Sequence, residues 1–503
     1  MEVLHRSTTH GEPPLAPERL VDFRPLDESN RPAPFKAYTG VDPVPLARGL
    51  RPSSLPATDV LSGRRGEPEP LDEPLLGTLL FLSAGVTRVA RTIDGEPVWF
   101  RASMSAGNLH PVEVYVVDDD VHHYAPLEHA LSRLRRGVGA STGAAVGLVL
   151  TGIPFRTCWK YGERGWRHLW WDAGTLVANL LAVADAHGVP AEVGTGFDDA
   201  AVAELVGVDG VDEVPLAVVR LGAGEIRLPP AGTLPPVAAT AAPVARRVLR
   251  FPLVAEAHAA TALGTGDVDR WRAEAASLAA PSTSVVDPPL GADPEDRVEL
   301  AIGRRGSTRL FRPEPAPLTL LQWALPAATR VVPFDLASPD TLVEHLVNVQ
   351  AVDAAEAGGY RYTASGGFEP RTSVDDARRA GRRLCLDQPL GGDAAYTVFH
   401  AAALDPLLGA WGGRAYRVAQ LEAGVVAGRL AMNAVALGAG ATGLTFYDGL
   451  VSRYFRTTAA PLLATAVGLP ATAPAPTGTP GRPTELRGYG DVMARLAARL
   501  RGQ

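Results

Sequence analysis

The sequence predicts an α+β chain in which one fold of mixed helices and strands occurs twice in tandem. Three observations carry this. Each half of the 503 residues presents the same order of signals: a glycine-arginine pair, a short apolar helix, a β-like run ("VEVYVV" or "VEHLVNV") and a longer apolar-periodic helical segment. Sliding the sequence by 250 positions lays "KYGERGWRHLWWDAGTLVANLLAVADAHG" over "AWGGRAYRVAQLEAGVVAGRLAMNAVALG" without a gap. Gly162, Arg164, Arg167, Ala173, Gly174, Leu180 and Gly188 recur as Gly412, Arg414, Arg417, Ala423, Gly424, Leu430 and Gly438. Between the halves, "LPPAGTLPPVAATAAPVARR" is too rich in alanine and proline to build a dense core and reads as a connector. The expected division is a first copy at 1–225 with a leader at 1–75, a connector at 226–295, and a partly degenerate second copy at 296–503. The two copies are expected to form a pseudo-dimer within the chain.

Composition narrows the function. A net charge of −7 leaves no dominant basic face, which argues against nucleic acid or an anionic membrane as partner. The two cysteines, Cys158 and Cys385, stand far apart without C-x-x-C spacing, so no zinc ribbon, iron–sulfur site or disulfide framework is expected. The opening "MEVLHRSTTHGEPPLAPERL" lacks the apolar core of a signal peptide, and no stretch approaches a twenty-residue apolar span. A cytoplasmic location is expected.

The duplication singles out Lys160 and Tyr161. The frame around them repeats, but 250 positions on stand Ala410 and Trp411. Two copies of one fold share what packing demands, whereas chemistry survives only in the copy that uses it. Other conspicuous residues receive plainer readings. "GAGATG" (438–443) satisfies a dinucleotide fingerprint as written, yet it follows a helical pattern and so ends a helix. Asp118, Asp119 and Asp120 read as a solvated turn, with His122 and His123 exposed beside it. Trp170 and Trp171 read as core.

The stretches "HRSTTHGEPP", "PAPFKAY", "PLLGTLLFLSAGVTR", "RASMSAGNLHPVEVYVV" and "KYGERGWRH" resemble the SagB/McbC-type flavin dehydrogenases of the nitroreductase superfamily, which oxidise thiazolines and oxazolines in ribosomally made peptides. The likeness covers most of residues 1–225 and, more loosely, 295–455. It implies a nitroreductase-like fold, FMN as cofactor, an azoline-bearing precursor peptide as substrate, and a cyclodehydratase partner. Molecular oxygen would be the final electron acceptor. In that family a Lys-Tyr pair at this position is implicated in catalysis, a role carried here onto Lys160 and Tyr161. The removal of a ring proton needs a base in reach. A lysine desolvated by Trp159 and Trp166 would have its pKa lowered toward that task, with Tyr161 as relay; the reverse assignment also stands. Family FMN sites lie at a two-fold interface, with an arginine-rich segment at the phosphate and a small-residue loop at the ring. The second copy keeps the former in "GRRGSTRLF", offering Arg304, Arg305, Ser307 and Arg309. The first copy has Glu67 and Pro68 instead. The ring loop survives in the first copy as Ser105, Ala106, Gly107 and Asn108, with His110 either a ring contact or structural; Met104 replaces the family's usual proline. The second copy's equivalent, "TRVVPFDLASPDT", shows no such loop. Backbone near Leu444, Thr445 and Phe446 is expected at the ring edge, with "GTGFDD" of the first copy competing. These complementary losses imply one intact FMN site per chain. Two other readings compete: an NAD(P)H-dependent flavin reductase of quinones or nitro compounds, which has no need of Lys160 and Tyr161, and a non-catalytic scaffold that docks precursor peptide.

Overall fold

The computed structural model describes residues 1–21, 26–92, 94–229, 232–276, 285–335, 341–363, 366–486 and 489–490. In the first copy, a ribbon of β1 (Val86–Arg91) and β2 (Pro97–Arg101) precedes an antiparallel sheet. That sheet contains β3 (Val112–Val117), β4 (Val121–Ala125), β5 (Ala130–Arg135), β6 (Val146–Gly152), β7 (Ala191–Gly194) and β8 (Val214–Leu221). Their spatial order is β5-β4-β3-β6-β8-β7. In the second copy, β9 (Glu344–Val349), β10 (Gly358–Tyr362), β11 (Phe368–Thr372), β12 (Tyr396–Ala402), β13 (Gly440–Leu444) and β14 (Ala460–Pro470) are ordered β11-β10-β9-β12-β14-β13. Each strand of the first sheet thus has its counterpart six numbers on. The last strand, β15 (Thr484–Glu485), leaves the second copy and pairs in parallel with β1 of the first.

The helices of the repeat are α1 (Glu73–Ala84), α2 (Pro154–Tyr161) and α3 (Gly165–Ala186) in the first copy. In the second they are α4 (Val298–Arg304), α5 (Leu404–Trp411) and α6 (Arg414–Ala436). Helices α3 and α6 are buried along nearly their whole length and pack against each other. Their contact explains two of the shared glycines. A Cβ on Gly174 would lie 2.4 Å from the Leu421 carbonyl oxygen, and one on Gly424 would lie 2.5 Å from that of Trp171. Only glycine lets the two backbones approach this closely. As expected, Trp170 is buried and Trp171 nearly so, and Gly438, at φ +71°, follows the end of α6.

The shared arginines have an equally direct explanation. Arg164 and Arg167 of the first copy each reach Asp448 of the second, at 3.3 and 3.4 Å. Arg414 and Arg417 of the second copy hold Asp199 of the first. The same side chains grip a short helix in each copy. Arg167 and Arg164 donate to the carbonyls of His5 and Thr8, whereas Arg417 and Arg414 donate to those of His258 and Thr261. The Pro252–Ala259 helix is therefore the counterpart of the Glu2–Ser7 helix. The repeat restarts inside the stretch read as a connector, and Phe251, Leu253, Val254 and Trp271 from that stretch are buried.

The expected exposure of His123 is overturned. His123 is not exposed in a turn but lies within β4, 1% exposed, with Nε2 2.9 Å from Glu113 Oε2; burial of a histidine is met by a carboxylate on the neighbouring strand. His122 is half-buried. Asp118 and Asp120 hold the turn by accepting from the Asp120 and Gly137 amides. No helix among the described residues is long and apolar enough to cross a membrane. No group of three or more His, Cys, Asp or Glu among them could hold a metal ion.

Removing one partner of a buried ion pair leaves an uncompensated charge, at a cost of about 3–5 kcal/mol. Asp448→Ala strands Arg164 and Arg167 together. It is expected to lower unfolding stability by about that amount in a urea titration. Breaking the exposed Arg6–Glu2 pair should shift stability by less than about 1 kcal/mol.

Candidate functional site

The loop between β2 and β3 is built on unusual backbone. Gly107, Asn108 and His110 have φ of +64°, +58° and +45°. Gly107 has no alternative there, because a Cβ would lie 2.6 Å from Tyr161 Oη and 3.2 Å from Lys160 Nζ. The last turn of α2 thus presses the Lys-Tyr pair directly against the small-residue loop. Helix α3 fixes that loop from below. Asp172 accepts from Ser105 Oγ and, at 3.0 Å, from the Ala106 amide, and Thr175 Oγ1 donates to the Met104 carbonyl at 2.8 Å. Ser105 Oγ in turn accepts from the His110 amide at 2.8 Å. Asp172 was not singled out in the sequence, although the duplication marks it: 250 positions on stands Glu422, whose buried carboxylate accepts from the Leu342 amide in the loop before β9.

Two connected cavities lie between the copies. The larger, about 600 Å³, is lined by Asn108 of the loop, by Arg88 and Arg101 of β1 and β2, by residues 304–309, and by Pro470 and 472–476. The smaller, about 140 Å³, sets Ala106, Gly107, Tyr161, His168 and Asp172 opposite Thr442, Leu444, Thr445 and Phe446. Met104, Ser105, Ser307 and Arg309 line both. The structure therefore brings together Ser105, Ala106, Gly107, Asn108, Tyr161, Arg304, Arg305, Ser307, Arg309, Leu444, Thr445 and Phe446, with Lys160 Nζ against the same loop.

Their roles are not equal. The Arg304 guanidinium is held by both oxygens of Asp296, at 2.9 and 2.6 Å. Arg305 donates across the copies to the Ala102 carbonyl, at 2.7 and 3.2 Å. Both were expected to offer forks to a phosphate; each commits two of its nitrogens to the protein while still lining the larger cavity. Arg309 and the Ser307 hydroxyl make no hydrogen bond or ion pair with a described residue. His110 lines neither cavity, and its Nε2 lies 2.9 Å from Asn108 Oδ1, bracing the loop. Sequence reasoning missed Arg88, Arg101, Arg164 and His168 as cavity walls.

The electrostatics separate the paired residues. Burial lowers the Lys160 pKa, and the cations Arg309 and Arg31 lower it further. Burial, with the nearby Asp172, pushes Tyr161 up to about 12. Burial raises Asp172 to about 7 against the hydrogen bonds from Ser105 and Ala106. Trp166, expected beside the lysine, instead packs with Trp170 and Tyr416.

The pseudo-symmetric place also holds a cavity, of about 620 Å³, lined by Gly194, Gly196, Phe197, Val218, Arg272 and Asp335, but its backbone amides are already taken. Phe334 bridges to Val193, and the Asp335 carboxylate accepts from the amides of Thr195 and Gly196 at 2.7 and 2.9 Å. Those amides correspond to Leu444 and Thr445 of the open side. Residues 336–340 of "TRVVPFDLASPDT" lie outside the described residues.

The comparison with protein families bears on this geometry, because the model of the nitroreductase family matches residues 68–223, which hold the loop, the Lys-Tyr pair and α3. Over 188 residues the chain is 28% identical to the nitroreductase homologue MJ1384 of Methanocaldococcus jannaschii, covering 33% of the chain and 89% of that protein. Over 142 residues it is 28% identical to the microcin B17-processing protein McbC of Escherichia coli, covering 24% of the chain and 52% of McbC. The crystal structure of a nitroreductase homologue from Anabaena variabilis superposes with a TM-score of 0.68 at 24% identity, covering 93% of this chain and 99% of that one. The nitroreductase-like α+β fold therefore extends over both copies.

Asp172 supplies a pH test. Its carboxyl is raised in the fold, so the protonated form is the one folding favours. Its contribution to stability is full below the ordinary carboxylate value, and is lost as pH rises toward about 7. Asp172→Asn removes that loss. Urea midpoints of parent and variant, compared from roughly pH 4 to pH 8, should show the parent falling relative to the variant up to pH 7 and running parallel above it.

Proposed function

We propose that the chain is an FMN-dependent dehydrogenase that oxidises thiazoline and oxazoline rings to thiazoles and oxazoles in a ribosomally made peptide. The observation that carries this reading is the pair of adjoining cavities between the copies, where Tyr161 and the small-residue loop of one copy face the unpaired Arg309 and Ser307 of the other, with Lys160, which lines neither cavity, packed behind the loop at Gly107. The residues present fit FMN. Arg309 and Ser307 suit its phosphate, and the Gly107 loop with backbone at 444–446 lets backbone approach its ring closely. FMN bound there supplies the hydride acceptor.

Converting an azoline to an azole removes a proton from one ring carbon and a hydride from its neighbour. Lys160 is the better base of the pair, since burial and the neighbouring cations shift its ammonium toward giving up a proton, whereas burial shifts the Tyr161 phenol toward keeping its own. Tyr161 then acts as a hydrogen-bond donor that orients the lysine or the ring. Asp172 holds the loop under both. The partial likeness to McbC supports a peptide substrate and a cyclodehydratase partner that makes the azolines. An NAD(P)H-dependent nitro or quinone reductase shares the fold but has no task for Lys160 and Tyr161.

Three measurements test this. Heat-released cofactor should be FMN at about one per chain, and a ratio near two would contradict the single composite site. Lys160→Ala and Tyr161→Phe should keep their flavin yet slow azoline oxidation on the order of 10²–10⁴-fold, followed as loss of two hydrogens by mass spectrometry. Arg309→Ala should release flavin on dilution, since one charge-assisted bond is worth about 1.5–3 kcal/mol.

A further inference from the structure

His168 is a polar side chain where the fold accepts an apolar one. It stands in the second turn of α3, and 250 positions on, at the same place in α6, is the buried Val418. The comparison that singles out Lys160 and Tyr161 therefore singles out His168 as well: packing does not require it. The ring is 5% exposed, yet it lines the smaller cavity. Its orientation is fixed from both sides. It stacks on Trp171 with centroids 4.6 Å apart, and meets Tyr161 edge-on at 4.4 Å. Trp171 is itself pinned by a hydrogen bond from its indole nitrogen to Gln420 Oε1.

The two ring nitrogens differ. Nδ1 is sealed from solvent without a hydrogen-bond partner. Nε2 is not sealed, and it makes no hydrogen bond with a described residue, which leaves it to the cavity. Desolvation, with Arg164, Arg167, His10 and Lys160 around it, holds the imidazole neutral. A neutral imidazole carries one N–H. A buried N–H without an acceptor is costlier than a buried lone pair without a donor, so the proton belongs on Nε2. The cavity thus receives one uncharged donor, rigidly aimed, beside the Lys-Tyr pair.

We infer that His168 is a substrate-binding residue, whose Nε2–H donates to an acceptor atom of the substrate, the azoline nitrogen or the adjoining peptide carbonyl, and so sets the ring against Lys160 and Tyr161. This rests on the dehydrogenase reading for the identity of the substrate, but the donor itself follows from the geometry alone. His168→Phe keeps the planar stack on Trp171 and removes the donor. His168→Gln restores a neutral N–H.

The test uses the flavin-loaded protein and N-methylthiazole-4-carboxamide, a probe that carries both acceptors, titrated while the flavin absorbance is followed. The parent is expected to bind the probe, His168→Phe to bind it about 3- to 10-fold more weakly with its flavin content unchanged, and His168→Gln to recover most of the loss. In azoline oxidation the Phe variant should raise KM with kcat little changed. Equal probe binding by parent and His168→Phe, or no binding by the parent, would overturn the inference. So would loss of flavin from a His168→Phe protein that retains the parent's urea midpoint, since the acceptor would then lie on the cofactor. A parent that binds the probe through His168 but leaves azoline peptides unoxidised would sink the dehydrogenase reading while leaving the donor in place.

Discussion

The contact between α3 and α6 at Gly174 and Gly424 is the constraint on which the rest of the molecule depends. Backbones that meet at the distance only glycine permits leave no room for independent movement of the copies. The four buried arginines then fix the rotation about that contact, because each pair must find the aspartate of the opposite copy. Asp448 sits only two residues beyond Phe446, and Arg164 lines the same cavity as Phe446. The clamp that joins the copies is therefore continuous with the wall of the site.

Symmetry in the frame makes asymmetry in the loops informative. In both copies an acid at the same place on the long helix anchors the loop before the central strand: Asp172 through Ser105 and Ala106, Glu422 through Leu342. On one side the anchored loop stands off from the facing strand and leaves a cavity. On the other, Asp335 takes up the facing amides at the edge of a second cavity. One carboxylate thus separates a side whose strand amides are free to face the cavity from one whose amides are already satisfied.

Much of this was legible in the sequence, and for a physical reason. The frame residues repeat because glycine at a backbone contact and arginine at a buried pair tolerate no substitute, so a shift of 250 positions exposes them. Lys160 and Tyr161 were legible as the exceptions to that frame. The restart of the repeat at Pro252 was not, because the Pro252–Ala259 helix shares with Glu2–Ser7 little besides the spacing of His258 and Thr261, and two residues do not stand out in an alanine-rich run. Arg304 and Arg305 look alike to Arg309 in a sequence; only the positions of Asp296 and the Ala102 carbonyl show that they are already occupied. The burial of His123 depended on Glu113 across the strand pair, a partner that alternation alone does not disclose.

The pairing of β15 with β1 also governs the order in which the molecule can be made. The larger cavity takes its walls from β1 and β2, from residues 304–309, and from the returning stretch at 470–476. A chain still emerging from the ribosome can complete the first sheet early, with its loop and its Lys-Tyr pair in place, yet that half has nothing to close over it. The cavity gains its last wall only when the residues near 485 are free to reach back across more than the whole second copy. A chain made only as far as the first sheet therefore presents an open cleft where the complete fold has a walled cavity.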